Sequence, residues 1–97
     1  MSNHYLVFET DEFIKRFSKL PLPDKNKIER KLKNYIYPQL KEEPHFGNNF
    51  KNLVNYSPPT WRYRIGRYRL FFIIDENKKI ISIVTIGHRK NALFYSR

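Results

Sequence analysis

Trp61-Arg62-Tyr63-Arg64-Ile65-Gly66-Arg67-Tyr68-Arg69-Leu70-Phe71-Phe72-Ile73-Ile74-Asp75 is the stretch that decides how this chain folds. Its aromatic and aliphatic residues alternate with arginine at period two, the repeat of a strand whose successive side chains point to opposite faces. Gly66-Arg67, at its centre, predicts a two-residue hairpin turn. That turn sets Ile65 against Tyr68, Arg64 against Arg69, Tyr63 against Leu70 and Arg62 against Phe71. One face then carries Trp61, Tyr63, Ile65, Tyr68, Leu70, Phe72 and Ile74, and is predicted to be core. The other carries Arg62, Arg64 and Arg69, with Phe71 and Ile73 beyond. Like charges set directly opposite each other destabilise a sheet. An anion bound between Arg64 and Arg69 would remove that penalty. An ordinary solvated strand face is the alternative, disfavoured by three arginines on one face of one hairpin.

Working outward, Asp75-Glu76-Asn77-Lys78 reads as a second turn and Lys79 to Ile86 as a third strand, ended by Gly87. Residues 88–97 form a short basic and aromatic tail. Upstream, residues 41–60 carry Pro44, Gly47, Pro58 and Pro59 and are predicted to be a long loop, with Phe50-Lys51-Asn52-Leu53 docking on the core. His4 to Glu9 reads as a first strand. Thr10 is the expected N-cap of a helix, with Asp11 and Glu12 suited to its positive end and Phe13, Ile14, Phe17 and Leu20 at helical spacing. Pro21-Leu22-Pro23 breaks that helix and starts another. Its apolar stripe is Ile28, Leu32, Tyr35 and Ile36, and Pro38 ends or kinks it. The order predicts an α+β domain: an N-terminal strand, a helical hairpin, then an antiparallel β-meander.

The chain has 97 residues, which fits one domain spanning 1–97. It has no cysteine, so neither a disulfide nor a thiolate site is available. No run approaches a membrane span, and Met1-Ser2-Asn3-His4 does not begin a signal peptide, so a cytoplasmic location is expected. The formal net charge is +10, from 19 Lys and Arg against 9 Asp and Glu. Residues 61–97 account for +7 of it and hold six of the eight arginines. Such a field draws polyanions. Nucleic acid, an acidic protein and a membrane surface all fit. Arginine among aromatics points more to phosphate, because its planar fork grips oxyanions bidentately.

Gly87-His88-Arg89-Lys90 follows the last strand and is expected to return near the arginine face. Arg89 would add a fourth guanidinium, and His88 a group that titrates near neutral pH. Phe94 and Tyr95 could anchor the core or stack on a base.

Taken together, residues 61–75, the strand Ile80 to Ile86 and Gly87-His88-Arg89-Lys90 resemble the RelE/ParE superfamily of toxin–antitoxin toxins. Phe50-Lys51-Asn52-Leu53 is similar to the lysine- and leucine-containing loop that precedes the hairpin there, and the order of elements agrees along nearly the whole chain. The resemblance implies a toxin of a type II toxin–antitoxin system. In its RelE branch this is a ribosome-dependent endoribonuclease that cuts mRNA in the 70S decoding site, without metal or other cofactor. It implies catalytic positions at Arg62, Arg64, Arg69, Arg89 and Tyr95, with His88 as a possible acid or base. Arg67, Lys90 and Lys51 are then expected to bind RNA. The strand bases are often lysine in the family, whereas here they are arginine, which stays protonated and makes a poor general base. The implied partners are a cognate antitoxin and mRNA on the ribosome, with no membrane. A ParE-like inhibitor of DNA gyrase and a non-catalytic RNA-binding module are the other readings.

Overall fold

The computed structural model describes residues 4–45, 50–53, 56 and 58–89. The chain runs β1 (Leu6–Glu9), α1 (Asp11–Ser18), α2 (Leu22–Lys31), a π-helical turn (Leu32–Ile36), α3 (Tyr37–Glu42), β2 (Phe50–Leu53), β3 (Thr60–Ile65), β4 (Tyr68–Asp75) and β5 (Ile80–His88). The strands form one sheet in the order β1-β5-β4-β3-β2. β2 to β5 pair antiparallel, and β1 joins parallel to β5. The architecture is α+β, as the pattern of elements predicts.

The register of the central hairpin is the one its alternation dictates: Ile65 pairs with Tyr68, Arg64 with Arg69, Tyr63 with Leu70 and Arg62 with Phe71. Gly66 takes a φ of +57°, a left-handed conformation that glycine adopts without a Cβ penalty. Leu70 and Phe72, each 0% exposed, face the helices with Ile65 and Tyr68. Against them pack Phe13 from α1, Ile28 from α2, Leu32 and Ile36 from the π turn and Leu40 from α3, joined by Ile81, Ile83 and Ile86 of β5. Trp61 stacks on Phe72 with ring centres 6.4 Å apart.

The structure departs from the sequence expectations in several places. Residues 41–60 are not one loop. Helix continues to Glu42, and Phe50–Leu53 is an edge strand on β3, with Phe50 packed edge-on against Tyr63 at 4.8 Å. Four residues are too few to announce an edge strand by periodicity, and the partner strand supplies what the pattern lacks. Pro38 neither ends nor sharply breaks the helical run. The preceding turn widens to π geometry, with the Tyr37 amide donating to the Leu32 carbonyl, which accommodates a ring that cannot donate. The widening also turns Tyr35 out of the apolar stripe, to 70% exposure. Gly87 does not end the last strand, which runs on to His88.

A bulge lies between the pairs Phe71–Thr85 and Phe72–Ile83, making Val84 the additional residue of β5. Thr10 is built against it. Its hydroxyl accepts from the Phe13 amide at 3.2 Å, capping α1, and lies 2.8 and 2.9 Å from the carbonyls of Ile83 and Val84 as donor. One side chain thus fixes where α1 starts and holds that start against the sheet. Thr10→Ala should cost about 1–2 kcal/mol in urea unfolding, and Thr10→Ser should retain most of the stability. An Ala variant as stable as the parent would remove the staple role.

At the sheet end away from Gly66, His45 bridges two carboxylates: Nδ1 lies 3.0 Å from Glu43 and Nε2 2.6 Å from Glu76. Tyr5 donates to the other Glu76 oxygen at 2.7 Å, which leads the causes that push its pKa up to about 12 and that hold Glu76 below the usual carboxylate range. Burial works to lower the His45 pKa, but the bonds to Glu43 and Glu76 outweigh it and raise the group above 6.5. A raised folded-state pKa makes the contribution full below 6.5 and lost as pH rises through the higher folded value. Stability should therefore decline from pH 6.5 upward in thermal melts, and His45→Gln should flatten that decline. A parent profile unchanged by the substitution would sink the bridge as a source of pH dependence.

Candidate functional site

The face of the sheet opposite the helices is built by the same alternation that fills the core. Cross-strand partners share a face, so Lys51 of β2, Arg62 of β3, Phe71 of β4 and Thr85 of β5 form one row across it. The next row is Arg64, Arg69 and Gly87. Arg89 follows one step beyond β5, and its amide donates to the Arg67 carbonyl at 2.7 Å, which ties it to the hairpin turn. Arg62, Arg64, Arg69 and Arg89 are thereby gathered at one end of one face, with Lys51 beside Arg62.

The floor under this cluster is apolar. Phe71 is 1% exposed although it lies on the face away from the helices. Arg62 sits beside it, half-buried, and its Nε is buried with no hydrogen-bond partner among the described residues. Thr85 Oγ1, across Phe71, is likewise buried and unpartnered there. Burial, then the charge of Arg64, lower the Arg62 pKa. Burial also leads for Arg69, followed by the charges of Arg64, Arg62 and Arg89. Three guanidiniums therefore bear on Arg69. It is oriented by donating from Nη1 to the carbonyls of Gly66 at 3.1 Å and Tyr68 at 3.0 Å. No carboxylate among the described residues forms an ion pair with any of the four arginines.

Gly87 shapes the space between them. It lies opposite Arg69, and a Cβ built on it meets nothing within 4 Å among the described residues. The glycine leaves a gap in the row of side chains between Arg69 and Arg89. The sequence marks Gly87 as a strand end and as the start of the Gly87-His88-Arg89-Lys90 stretch expected near the arginines, but it does not show this opening, which depends on what stands across the strand. A mono-anion with several acceptor oxygens, such as a phosphodiester, matches a gap rimmed by guanidiniums.

His88 is not brought to this face. It pairs with Tyr68, which faces the helices, and the two rings meet edge-on at 5.5 Å. The strand pleat that puts Gly87 among the arginines turns the next residue away. Arg67, at the turn tip, points its side chain to a cleft on the helix side. Tyr95 and Lys90 lie outside the described residues. Among the described residues no helix is long and apolar enough to cross a membrane.

If the opposed arginines are strained without an anion, removing one should help the fold. Arg64→Gln should raise the melting temperature at low ionic strength, by a stability gain of about 0.2–1 kcal/mol that shrinks as salt is added. A destabilised Arg64→Gln would show that the pair is not repulsive.

Comparison with known proteins bears on the whole fold. No curated protein matches the chain. Among solved structures, it is similar to the Mycobacterium tuberculosis RelBE2 toxin–antitoxin complex, with 26% identity and a TM-score of 0.69, covering 89% of this chain and 99% of that one. The archaeal RelE–RelB complex from Pyrococcus horikoshii is similar at 20% identity and a TM-score of 0.68, over 89% of this chain and 96% of that one. A free-state mutant of the E. coli toxin RelE aligns at 18% identity and a TM-score of 0.66, over 96% and 92%. Residues 9–93 match the model of the ParE toxin of type II toxin–antitoxin systems. With a match over that much of the chain and a fold shared with RelE toxins, the protein belongs to the RelE/ParE family of type II toxin–antitoxin toxins.

Proposed function

We propose that this toxin is an endoribonuclease of the RelE type that cuts mRNA in the ribosomal decoding site. The observation that carries the reading is the convergence of Arg62, Arg64, Arg69 and Arg89 around the gap over Gly87, with no carboxylate paired to them among the described residues.

The reaction is attack of an RNA 2′-hydroxyl on the adjacent phosphate. The O2′–P bond forms as the P–O5′ bond breaks, leaving a 2′,3′-cyclic phosphate and a 5′-hydroxyl, and it needs no water or metal. Arg62, Arg64 and Arg69 hold the phosphate and stabilise the charge that gathers on its oxygens. Arg89 supports the leaving oxygen. Each preorganised donor of this kind supplies on the order of 3 kcal/mol, because it sits in place before the charge develops. The apolar floor of Phe71 strengthens those interactions by lowering the local dielectric. An arginine guanidinium is a poor general base, so the four serve as charge and donors. Tyr95 is the residue of the proposed set left for base stacking or proton transfer, and Lys51 and Lys90 are assigned to the flanking backbone. His88, on the other face, has a positioning role at Tyr68 instead.

A cognate antitoxin is the second proposed partner. The two RelE–RelB relatives above are toxin–antitoxin complexes, and an acidic antitoxin segment would neutralise the same basic face.

The matching family model is that of ParE, which supports a second reading as a gyrase inhibitor. Adding the protein to programmed 70S translation complexes and mapping mRNA ends by primer extension separates the two. Cuts in the decoding site are expected, falling at least about 100-fold in Arg69→Ala. Gly87→Val, whose Cβ meets nothing within 4 Å among the described residues and whose side chain suits a strand, should fold and also lose cleavage by filling the gap. Absence of cuts together with inhibited gyrase supercoiling would replace the nuclease by the ParE-like activity.

A further inference from the structure

On the helix side of the same hairpin, α2 and the β3–β4 turn enclose a cleft of about 460 Å³ lined by Asp24, Lys27, Lys31, Arg67 and Tyr68 among others. Lys27 and Lys31 lie one helical turn apart on α2, a like-charge spacing that destabilises a helix. Both carboxylates of α2 have partners of their own. Asp24 accepts from the Tyr68 hydroxyl at 2.6 Å, and Glu29 faces Lys33 at 3.3 Å. No carboxylate among the described residues forms an ion pair with Lys27, Lys31 or Arg67. The cleft therefore gathers three exposed cations, none of them in an ion pair among the described residues, beside a wall formed by buried Tyr68 and its partner Asp24.

Arg67 joins this cleft to the arginine face. Its carbonyl holds the Arg89 amide, while its side chain lines the cleft beyond the turn. Basic side chains thus run around the hairpin tip from Arg64 and Arg69 to Lys27 and Lys31, with Asp24 as the acidic group of the cleft, hydrogen-bonded to Tyr68. We propose that the α2–hairpin cleft is a second phosphodiester-binding subsite, in which Lys27, Lys31 and Arg67 hold the backbone of an RNA strand that passes over the turn from the arginine face. The inference rests on the RNA reading above and adds to it a place where the strand is held away from the scissile phosphate. Lysine suits this task, because a mobile point charge follows a backbone phosphate without demanding one geometry. RNA is favoured over an acidic peptide by continuity with the arginine forks, which are shaped for phosphate oxygens.

The test is fluorescence anisotropy of a fluorescein-labelled oligouridylate titrated with the intact protein across a salt series, with melting curves for each variant. Lys27→Gln with Lys31→Gln should weaken binding on the order of tenfold. It should also reduce the magnitude of the log–log salt slope by about 1.4, because two phosphates of the single strand are no longer neutralised. Lys27→Arg with Lys31→Arg should restore both. If the Gln pair binds like the parent while Arg64→Gln binds weakly, the cleft is no subsite and the RNA reading survives. If the parent binds no oligouridylate, both fall. A loss that the Arg pair does not rescue assigns the lysines to packing and overturns the proposal. So does unchanged RNA binding with lost affinity for a polyglutamate peptide, which would reassign the cleft to an acidic protein.

Discussion

The register of one hairpin governs this molecule. With Gly66 and Arg67 as the turn, Leu70 and Phe72 go inward and Arg62, Arg64 and Arg69 go outward. A slip of one residue would reverse every side chain, placing guanidiniums in the core and aromatic rings in water. The cost of burying one unpaired charge makes that alternative inaccessible. The left-handed φ of Gly66 locks the turn, so the pairing of Arg64 with Arg69 follows from the need to bury the other face.

The same constraint explains why the two faces differ so sharply in what they hold. Toward the helices, β3, β4 and β5 present a continuous apolar surface, closed by five side chains from the helical run between Phe13 and Leu40. Away from the helices, the sheet carries cations at the end near the turn and apolar groups such as Leu6 and Phe8 on the edge strand, 68% and 58% exposed. Phe71 belongs to that second face yet is fully buried, giving the guanidiniums beside it a dry floor. Desolvation, then the charges of Arg64, Arg62 and Arg89, lower the Arg69 pKa.

The opposite end of the sheet is organised by different chemistry. There His45, Glu43, Glu76 and Tyr5 form a connected polar network that ties the end of the helical run to the β4–β5 turn. Other acidic groups are engaged away from the arginines, by tyrosine hydroxyls and in a turn: Asp24 on Tyr68, Glu9 on Tyr37, Asp75 within its own turn. Among the described residues none forms an ion pair on the arginine face. The polarity of the molecule thus comes from where its carboxylates are engaged as much as from where its arginines lie.

Sequence alone determined the hairpin, its register, the core face, the N-cap at Thr10 and the face that carries Arg62, Arg64 and Arg69, because period-two alternation and turn chemistry are local properties of the chain. It did not reveal the edge strand at Phe50–Leu53, whose four residues become a strand only through pairing with β3. Nor did it show that His88 turns away from the arginines while its neighbour Gly87 opens a gap among them, since that depends on the pleat of β5 continuing through the glycine. The buried state of Phe71 and the meeting of Lys27 and Lys31 with Arg67 were likewise decided by the tertiary structure. These features join residues far apart in the chain, and only the packing of α2 on the sheet and the order of the strands bring them within reach of one another.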